Sequence, residues 1–137
     1  MLTAEQLNRV GEGHLPGYLG LVITEVEPGR LRAELRVEPH HMAPNGFLHA
    51  ATVIALADTA AGYGCRTVLP AGATGFTTIE LKANFLGTAR EGTIECTASA
   101  LHLGKTTQVW DSVVTHRESG KTIAVFRCTQ MILQPKS

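Results

Sequence analysis

Two side chains offer the clearest chemistry in this sequence: a histidine at position 49 and, nine residues later, an aspartate at position 58. If the segment is wound as a helix, Asp58 shares a face with Ala51, Ile54, Ala55, Ala61 and Gly62, its neighbours at three- and four-residue spacing. A lone carboxylate on a stripe of small residues is desolvated, which raises its pKa and makes it a usable base or nucleophile. Its mid-helix position excludes an N-cap role. The structural alternative is a buried Asp satisfied by a backbone or threonine partner. His49 stands at the helix entrance, ahead of Ala50 and Ala51. The first N–H groups of a helix have no partner within it and the dipole there favours negative charge, as an oxyanion hole requires. His49 either orients an acyl group or caps the loop.

Geometry constrains the pair. At ~100° and ~1.5 Å per residue, His49 and Asp58 fall on opposite faces, about 13 Å apart along the axis. They cannot serve one carbonyl within one straight helix. A site that uses both must take the helix start from one subunit and Asp58 from another.

The elements that would position these groups follow from periodicity and turn residues. A short helix from Thr3 to about Gly11 is followed by strands at Leu19 to Glu27 and Leu31 to Val37, joined at Pro28-Gly29. Glu38 to Gly46, with Pro39, Pro44 and Gly46, reads as a loop, and its His40-His41 pair as solvated. From Phe47 to about Cys65 alanine dominates, and the helix is apolar nearly all round, so it should be buried. Thr78 to Phe85 alternates, with Ile79, Leu81, Ala83 and Phe85 on one face and Thr78, Glu80, Lys82 and Asn84 on the other. Strands at Thr93 to Leu103, Thr106 to Thr115 and Thr122 to Leu133 complete the chain, linked at Gly104-Lys105 and Glu118 to Lys121. Short turns make the last four strands expected antiparallel neighbours. The order β-β-α-β-β-β-β gives an α+β fold, a single domain over residues 1–137 with one antiparallel sheet curled around a central helix.

Composition narrows the function classes. Twelve basic and twelve acidic residues leave no net charge, so nothing points to nucleic acid. No apolar run reaches the ~18 residues of a membrane span, and the N-terminus lacks the pattern of a signal peptide. Cys65, Cys96 and Cys128 are odd in number and show no CxxC spacing, which predicts reduced, buried thiols in a cytoplasmic protein and no structural metal. There is no nucleophile elbow and no glycine-rich phosphate loop. Trp110 reads as core or interface.

The run Pro44-Asn45-Gly46-Phe47-Leu48-His49-Ala50-Ala51, then Ala55-Leu56-Ala57-Asp58-Thr59-Ala60, resembles the hot-dog-fold thioesterases, particularly the phenylacetate-pathway and 4-hydroxybenzoyl-CoA thioesterase type. The strand from Thr78 to Leu86, the Gly104-Lys105-Thr106 turn and the Gly120-Lys121 hairpin extend the likeness from about Gly17 to Leu133. The resemblance implies a homodimer with joined sheets, often paired again as a dimer of dimers. It implies Asp58 as base or nucleophile, the Ala50 N–H polarising the thioester carbonyl with His49 nearby, and Thr78 as a hydroxyl that places water. It also implies Asn45, Gly46, Lys105 and Thr106 as substrate contacts, Lys105 near the coenzyme A arm, and no cofactor beyond the coenzyme A of the substrate. Two features depart from the pattern. His49-Ala50-Ala51 replaces His-Gly-Gly, and Ala43 stands where many relatives carry Asn or Gln, with Asn45 as a nearby substitute.

The expected activity is hydrolysis of an aryl- or medium-chain acyl-CoA. Two other readings use the same residues: a hot-dog hydratase or dehydratase, and a non-catalytic acyl-CoA-binding module. Release of free thiol from a crotonyl thioester separates hydrolysis from hydration. Tight binding without turnover marks the binding module.

Overall fold

The computed structural model describes residues 1–136. Its elements are α1 (Ala4–Gly11), α2 (Leu15–Leu19), β1 (Leu21–Glu27), β2 (Arg30–Arg36), α3 (Ala50–Thr67), β3 (Gly75–Phe85), β4 (Thr93–Leu103), β5 (Thr107–His116) and β6 (Thr122–Leu133). The six strands form one antiparallel sheet in the order β1-β2-β4-β5-β6-β3, wrapped on α3, as the hot-dog arrangement requires.

The first helix begins where its cap dictates. Thr3 accepts from the Gln6 N–H and Gln6 reaches back to the Thr3 N–H, a reciprocal capping box. The Asn8 amide then pairs with both main-chain groups of Ile23 and docks α1 on the edge of β1. The expected strand start at Leu19 is wrong. Leu15–Leu19 is a turn of helix begun by Pro16, and Gly20 closes it at φ 84°, a left-handed conformation that glycine adopts at low cost.

The strand order also corrects the expectation for the last four strands. β4, β5 and β6 are sequential neighbours, but β3 pairs with β6 and forms the sheet edge. The connection 86–92 runs past the ends of β6 and β5. It spans three strand spacings, roughly 14 Å, and seven residues of extended chain reach up to about 23 Å. Leu86 and Gly87 donate to the Ile123 carbonyl, and Val37 donates to the Gly92 carbonyl, which pins both ends of the crossing.

Side-chain alternation along β3 is broken once. A bulge between Thr78 and Glu80 shifts the register. Leu81, Ala83 and Phe85 face inward opposite Cys128, Phe126 and Ala124, as alternation predicts. Thr78, expected on the polar face, instead lies opposite buried Gln130 and points at the helix, while Ile79 is left 53% exposed.

The inner face of β5 is the seat of α3. Gln108, Trp110, Ser112 and Val114 are all fully buried. Ser112 donates to the Ala57 carbonyl in mid-helix, and Gln108 donates to the Val68 carbonyl at the helix end while accepting from the Trp110 indole. Trp110 is therefore core. Its ring lies so close to Gly64 that a Cβ there would meet ring carbons at 2.6 Å. Gly64→Ala should accordingly destabilise the fold by about 1–3 kcal/mol through overpacking, against a gain of about 1 kcal/mol in helix propensity. Trp110→Phe, which costs stability alone, should cost less in the Gly64→Ala background. Urea denaturation of the four proteins checks both statements, and additive losses would show that the two groups do not share this contact.

Candidate functional site

The entrance to α3 is built by the loop before it. His41, expected in a solvated loop, is buried instead, because its ring and carbonyl are structural. Its Nδ1 accepts from the Glu38 N–H and its Nε2 donates to the Leu19 carbonyl. Burial holds its pKa below the ordinary histidine value, in keeping with a neutral ring. The His41 carbonyl accepts from the His49 N–H and from the buried Thr52 hydroxyl, so it anchors both sides of the helix start. His40, beside it, is exposed.

The helix begins at Ala50, three residues later than composition indicates, with His49 as its cap. His49 Nδ1 accepts from the Ala51 N–H at 2.9 Å. That bond puts the proton of the neutral ring on Nε2, where it can be donated to a ligand. The Thr52 and Val53 N–H groups bond to the His49 carbonyl. The Ala50 N–H alone in this first turn has no acceptor among the described residues, and Ala50 is exposed. It lines a cleft of about 420 Å³ with Phe47, Leu48, Val53, Phe85, Leu86, Gly87 and Thr88. Thr88 holds this wall by accepting from the Leu48 N–H, and Arg90 lies over the Phe47 ring at 5.2 Å.

Asp58 lies farther along the helix, about 12 Å from Ala50 along the axis. The helix is not covered all round. Ala50 and Ala51 are exposed, and Ile54, Ala55, Asp58 and Thr59 are half-buried, so the stripe of small residues remains open in the single chain. Asp58 Oδ1 is 3.3 Å from the Thr78 hydroxyl, which is 2.7 Å from Gln130 Oε1. Burial raises the Asp58 pKa above the ordinary carboxylate value, and the Thr78 hydrogen bond opposes that rise. The three thiols are not alternative nucleophiles: burial pushes Cys65, Cys96 and Cys128 up to about 12.

The remaining site residues separate along the helix axis. Asn45 and Gly46 form the tight loop before His49, and Asn45 Oδ1 accepts from the Phe47 N–H. That amide oxygen is therefore engaged in shaping the loop in which Ala43 pairs with Phe47. Lys105 and Thr106 line a second cleft with Pro70, Ala71 and Gln134, beyond the other end of α3. Sequence reasoning brought Asp58 and Thr78 together by likeness only, and the fold joins them directly. It missed Gln130, Thr88 and Arg90. Gln130 was visible as the one amide in the apolar alternation Ala124, Phe126, Cys128, Gln130, Ile132. Thr88 and Arg90 lie in the crossing segment, where no periodicity marks them.

Comparison with known proteins places this arrangement. Residues 45–128 match the family described as the thioesterase superfamily. The 1,4-dihydroxy-2-naphthoyl-CoA hydrolase of Escherichia coli (strain K12) is 32% identical over 135 residues, covering 96% of each chain. The proofreading thioesterase EntH of Klebsiella pneumoniae is 30% identical over 132 residues, covering 96% of this chain and 95% of the other. A crystal structure of a thioesterase from Haemophilus influenzae superposes with a TM-score of 0.90 at 27% identity, covering 98% of this chain and 92% of that one. The chain belongs to the thioesterase superfamily and is a hot-dog-fold thioester hydrolase.

Proposed function

We propose that the protein hydrolyses an acyl-coenzyme A thioester, with an aryl or medium-chain acyl group, in a site shared by two copies of the chain. The observation that carries this reading is the separation on α3 of an unpaired Ala50 N–H and a single carboxylate, Asp58. One copy offers a donor for a carbonyl oxygen and the other a base or nucleophile. The CoA hydrolase and proofreading thioesterase among its relatives support the substrate class.

In this mechanism the Ala50 N–H, with His49 Nε2–H beside it, takes the negative charge that develops on the thioester oxygen. Asp58 of the other copy either removes a proton from water as its oxygen attacks the carbonyl carbon, or attacks that carbon itself. In the second case water later opens the mixed anhydride. Thr78 places the water. Collapse of the tetrahedral intermediate breaks the C–S bond, and the departing thiolate takes a proton to become free coenzyme A. Asn45 and Gly46 would shape the acyl entrance, and Lys105 and Thr106 would meet the coenzyme A arm. A two-fold pair joined along β3 would set the two α3 helices side by side, with Asp58 of one copy toward the Ala50 start of the other.

The surface supports such a pair. β3 leaves one edge unpaired over eleven residues, and Ile79, Phe85, Leu86 and Phe47 are exposed along it and beside the Ala50 cleft. A long apolar edge is a template for strand pairing. Val113 and Val125 are half-open on the outer sheet face, next to the Asp111–Arg127 ion pair, and this face would join dimers into a tetramer. The reading also places the protein in the cytoplasm, where three free thiols stay reduced. Among the described residues no helix is long and apolar enough to cross a membrane.

The direct test is release of free thiol from a panel of aryl- and alkyl-acyl-CoA substrates. Asp58→Asn should keep the fold and lose on the order of 10²–10⁴ in kcat. Because Asp58 acts ionised and burial raises its pKa, wild-type activity should fall, as pH drops, above the ordinary carboxylate range. Near-normal turnover by folded Asp58→Asn would sink the assignment.

A second substitution addresses the donor. Ala50→Gly should retain activity, since it keeps the N–H. Ala50→Pro removes it, at a first-turn position where proline is tolerated, and should cost about 10²–10³ in kcat with an unchanged circular dichroism spectrum. An active, folded Ala50→Pro protein would exclude this oxyanion hole.

The shared site predicts complementation. Asp58→Ala and His49→Ala proteins, each inactive alone, should regain about a quarter of wild-type activity when co-refolded, because about half the dimers are mixed and each holds one intact site. Verified mixed dimers as inactive as either parent would show that each site is built from one chain.

A further inference from the structure

Behind Asp58 lies a glutamine with no packing reason to be there. Gln130 is 0% exposed, on a face of β6 otherwise made of Ala124, Phe126, Cys128 and Ile132. Burying an amide in apolar surroundings is unfavourable unless its hydrogen bonds are made. Its Oε1 is 2.7 Å from Thr78 Oγ1, directly across the register, and among the described residues its Nε2 finds only the Cys128 sulfur, at 3.4 Å. The bulge after Thr78 turns that hydroxyl inward to meet both Gln130 and Asp58.

Proton counting then gives Gln130 a task. A threonine hydroxyl has one proton to donate. With the amide oxygen toward Thr78, that proton goes to Gln130, and Thr78 Oγ1 is free to accept from a protonated Asp58. A half-turn of the amide exchanges its oxygen and nitrogen. Nε2–H then donates to Thr78 Oγ1, the Thr78 proton goes to an ionised Asp58, and the amide oxygen faces the Cys128 thiol, which can donate to it.

We infer that Gln130 is a positioning residue that acts through Thr78, letting one hydroxyl accept from Asp58 when it holds a proton and donate to it when it does not. This rests on the proposed role of Asp58 as base. A base must gain and lose a proton in each turnover, and a fixed donor would favour only its ionised form. The half-turn keeps every buried polar group paired in both forms.

Among the described residues no other group near Asp58 supplies this adjustment. The titratable groups near Asp58 are Cys128 on β6 and Cys65 on its own helix, both pushed up to about 12 and so neutral. Glu80 on β3 is on the outer face, held by the Thr129 hydroxyl. From β5 come Gln108, Trp110, Ser112 and Val114, and from β4 Ile94, Cys96 and Ala98. β1 and β2 contribute Leu21, Ile23, Leu31, Ala33 and Leu35. Cys96 is likewise pushed up to about 12, and no charged side chain is among these inward groups.

The test compares wild type with Gln130→Met, Gln130→Glu, Thr78→Val and the double variant Gln130→Met/Thr78→Val. Two readouts are used: the pH profile of kcat, and titration of the Asp58 carboxyl by ¹³C NMR, which needs no substrate. In Gln130→Met the Thr78 proton always goes to Asp58, so the carboxyl should titrate at lower pH and kcat should fall about tenfold with little change in KM. In Gln130→Glu the side chain, fully buried and facing Asp58, is held as a neutral carboxylic acid that donates to Thr78 Oγ1, so the Thr78 proton again goes to Asp58 and the carboxyl should titrate at lower pH, as in Gln130→Met. The Gln130→Met substitution should cost nothing further in the Thr78→Val background. The inference is overturned if the Asp58 titration stays in place in the folded variants, if either shift is to higher pH, or if the losses add. Should one Gln130 variant fail to fold, the shift in the other decides. A wild-type protein without thioesterase activity would defeat the proposed function, while the carboxyl titrations would still decide how Gln130 acts.

Discussion

The site depends on how closely α3 can lie against β5. At Gly64 the helix has no side chain, and the Trp110 ring fills that space. Near Asp58, Ser112 donates to the Ala57 carbonyl, which fixes the helix in rotation as well as in height. At the far end Gln108 takes the Val68 carbonyl, one of the groups a helix terminus leaves unpaired. Main-chain bonds at two levels and one steric contact thus hold the helix with its Asp58 stripe toward β3. Rotating it by one residue, ~100°, would swing Asp58 away from Thr78.

Buried polar side chains in this protein work on the backbone more than on each other. His41, Thr52, Gln108 and Ser112 each bond to a main-chain carbonyl or N–H. Each therefore fixes a segment and leaves no buried group unpaired. Gln130 is the exception, because its partners are the side chains of Thr78 and Cys128. An amide bonded to backbone is locked in one orientation, whereas one bonded to a hydroxyl and a thiol is not. That contrast is what the inferred role of Gln130 rests on: the scaffold amide has a main-chain partner, and the amide behind Asp58 has none among the described residues.

Local patterns in the sequence revealed the helix and the strands, and placed Asp58 within that helix and His49-Ala50 at its entrance, because each is set by residues close in the chain. Alternation gave the inward face of β3 as far as Leu81, Ala83 and Phe85. It failed at Thr78, since nothing local announces that two residues of β3 will oppose one of β6. The edge position of β3 was hidden for a related reason: the pairing with β6 joins residues some fifty positions apart, and a short connection looks the same whether it turns back or crosses. His41 looked solvated because proline and histidine mark loops. Its burial depends on α2, a single helical turn whose Leu19 carbonyl supplies the ring's partner.

The helix entrance explains why alanines can stand at positions 50 and 51. The donor of the proposed mechanism belongs to the main chain, and neither methyl group removes it. Ala51 gives its N–H to His49 Nδ1, and Ala50 keeps its own free. Alanine is favoured over glycine in a helix by about 1 kcal/mol per residue, so the pair stiffens the first turn around that free N–H. A stiffer first turn holds the donor in direction, which matters because an oxyanion hole works by being fixed before charge develops. Ala50 is exposed and lines the cleft together with Phe47 and Phe85. Under the proposed mechanism the same residue would set the donor through its backbone and narrow the approach through its side chain, so selectivity among acyl groups would change at position 50 with the donor left in place.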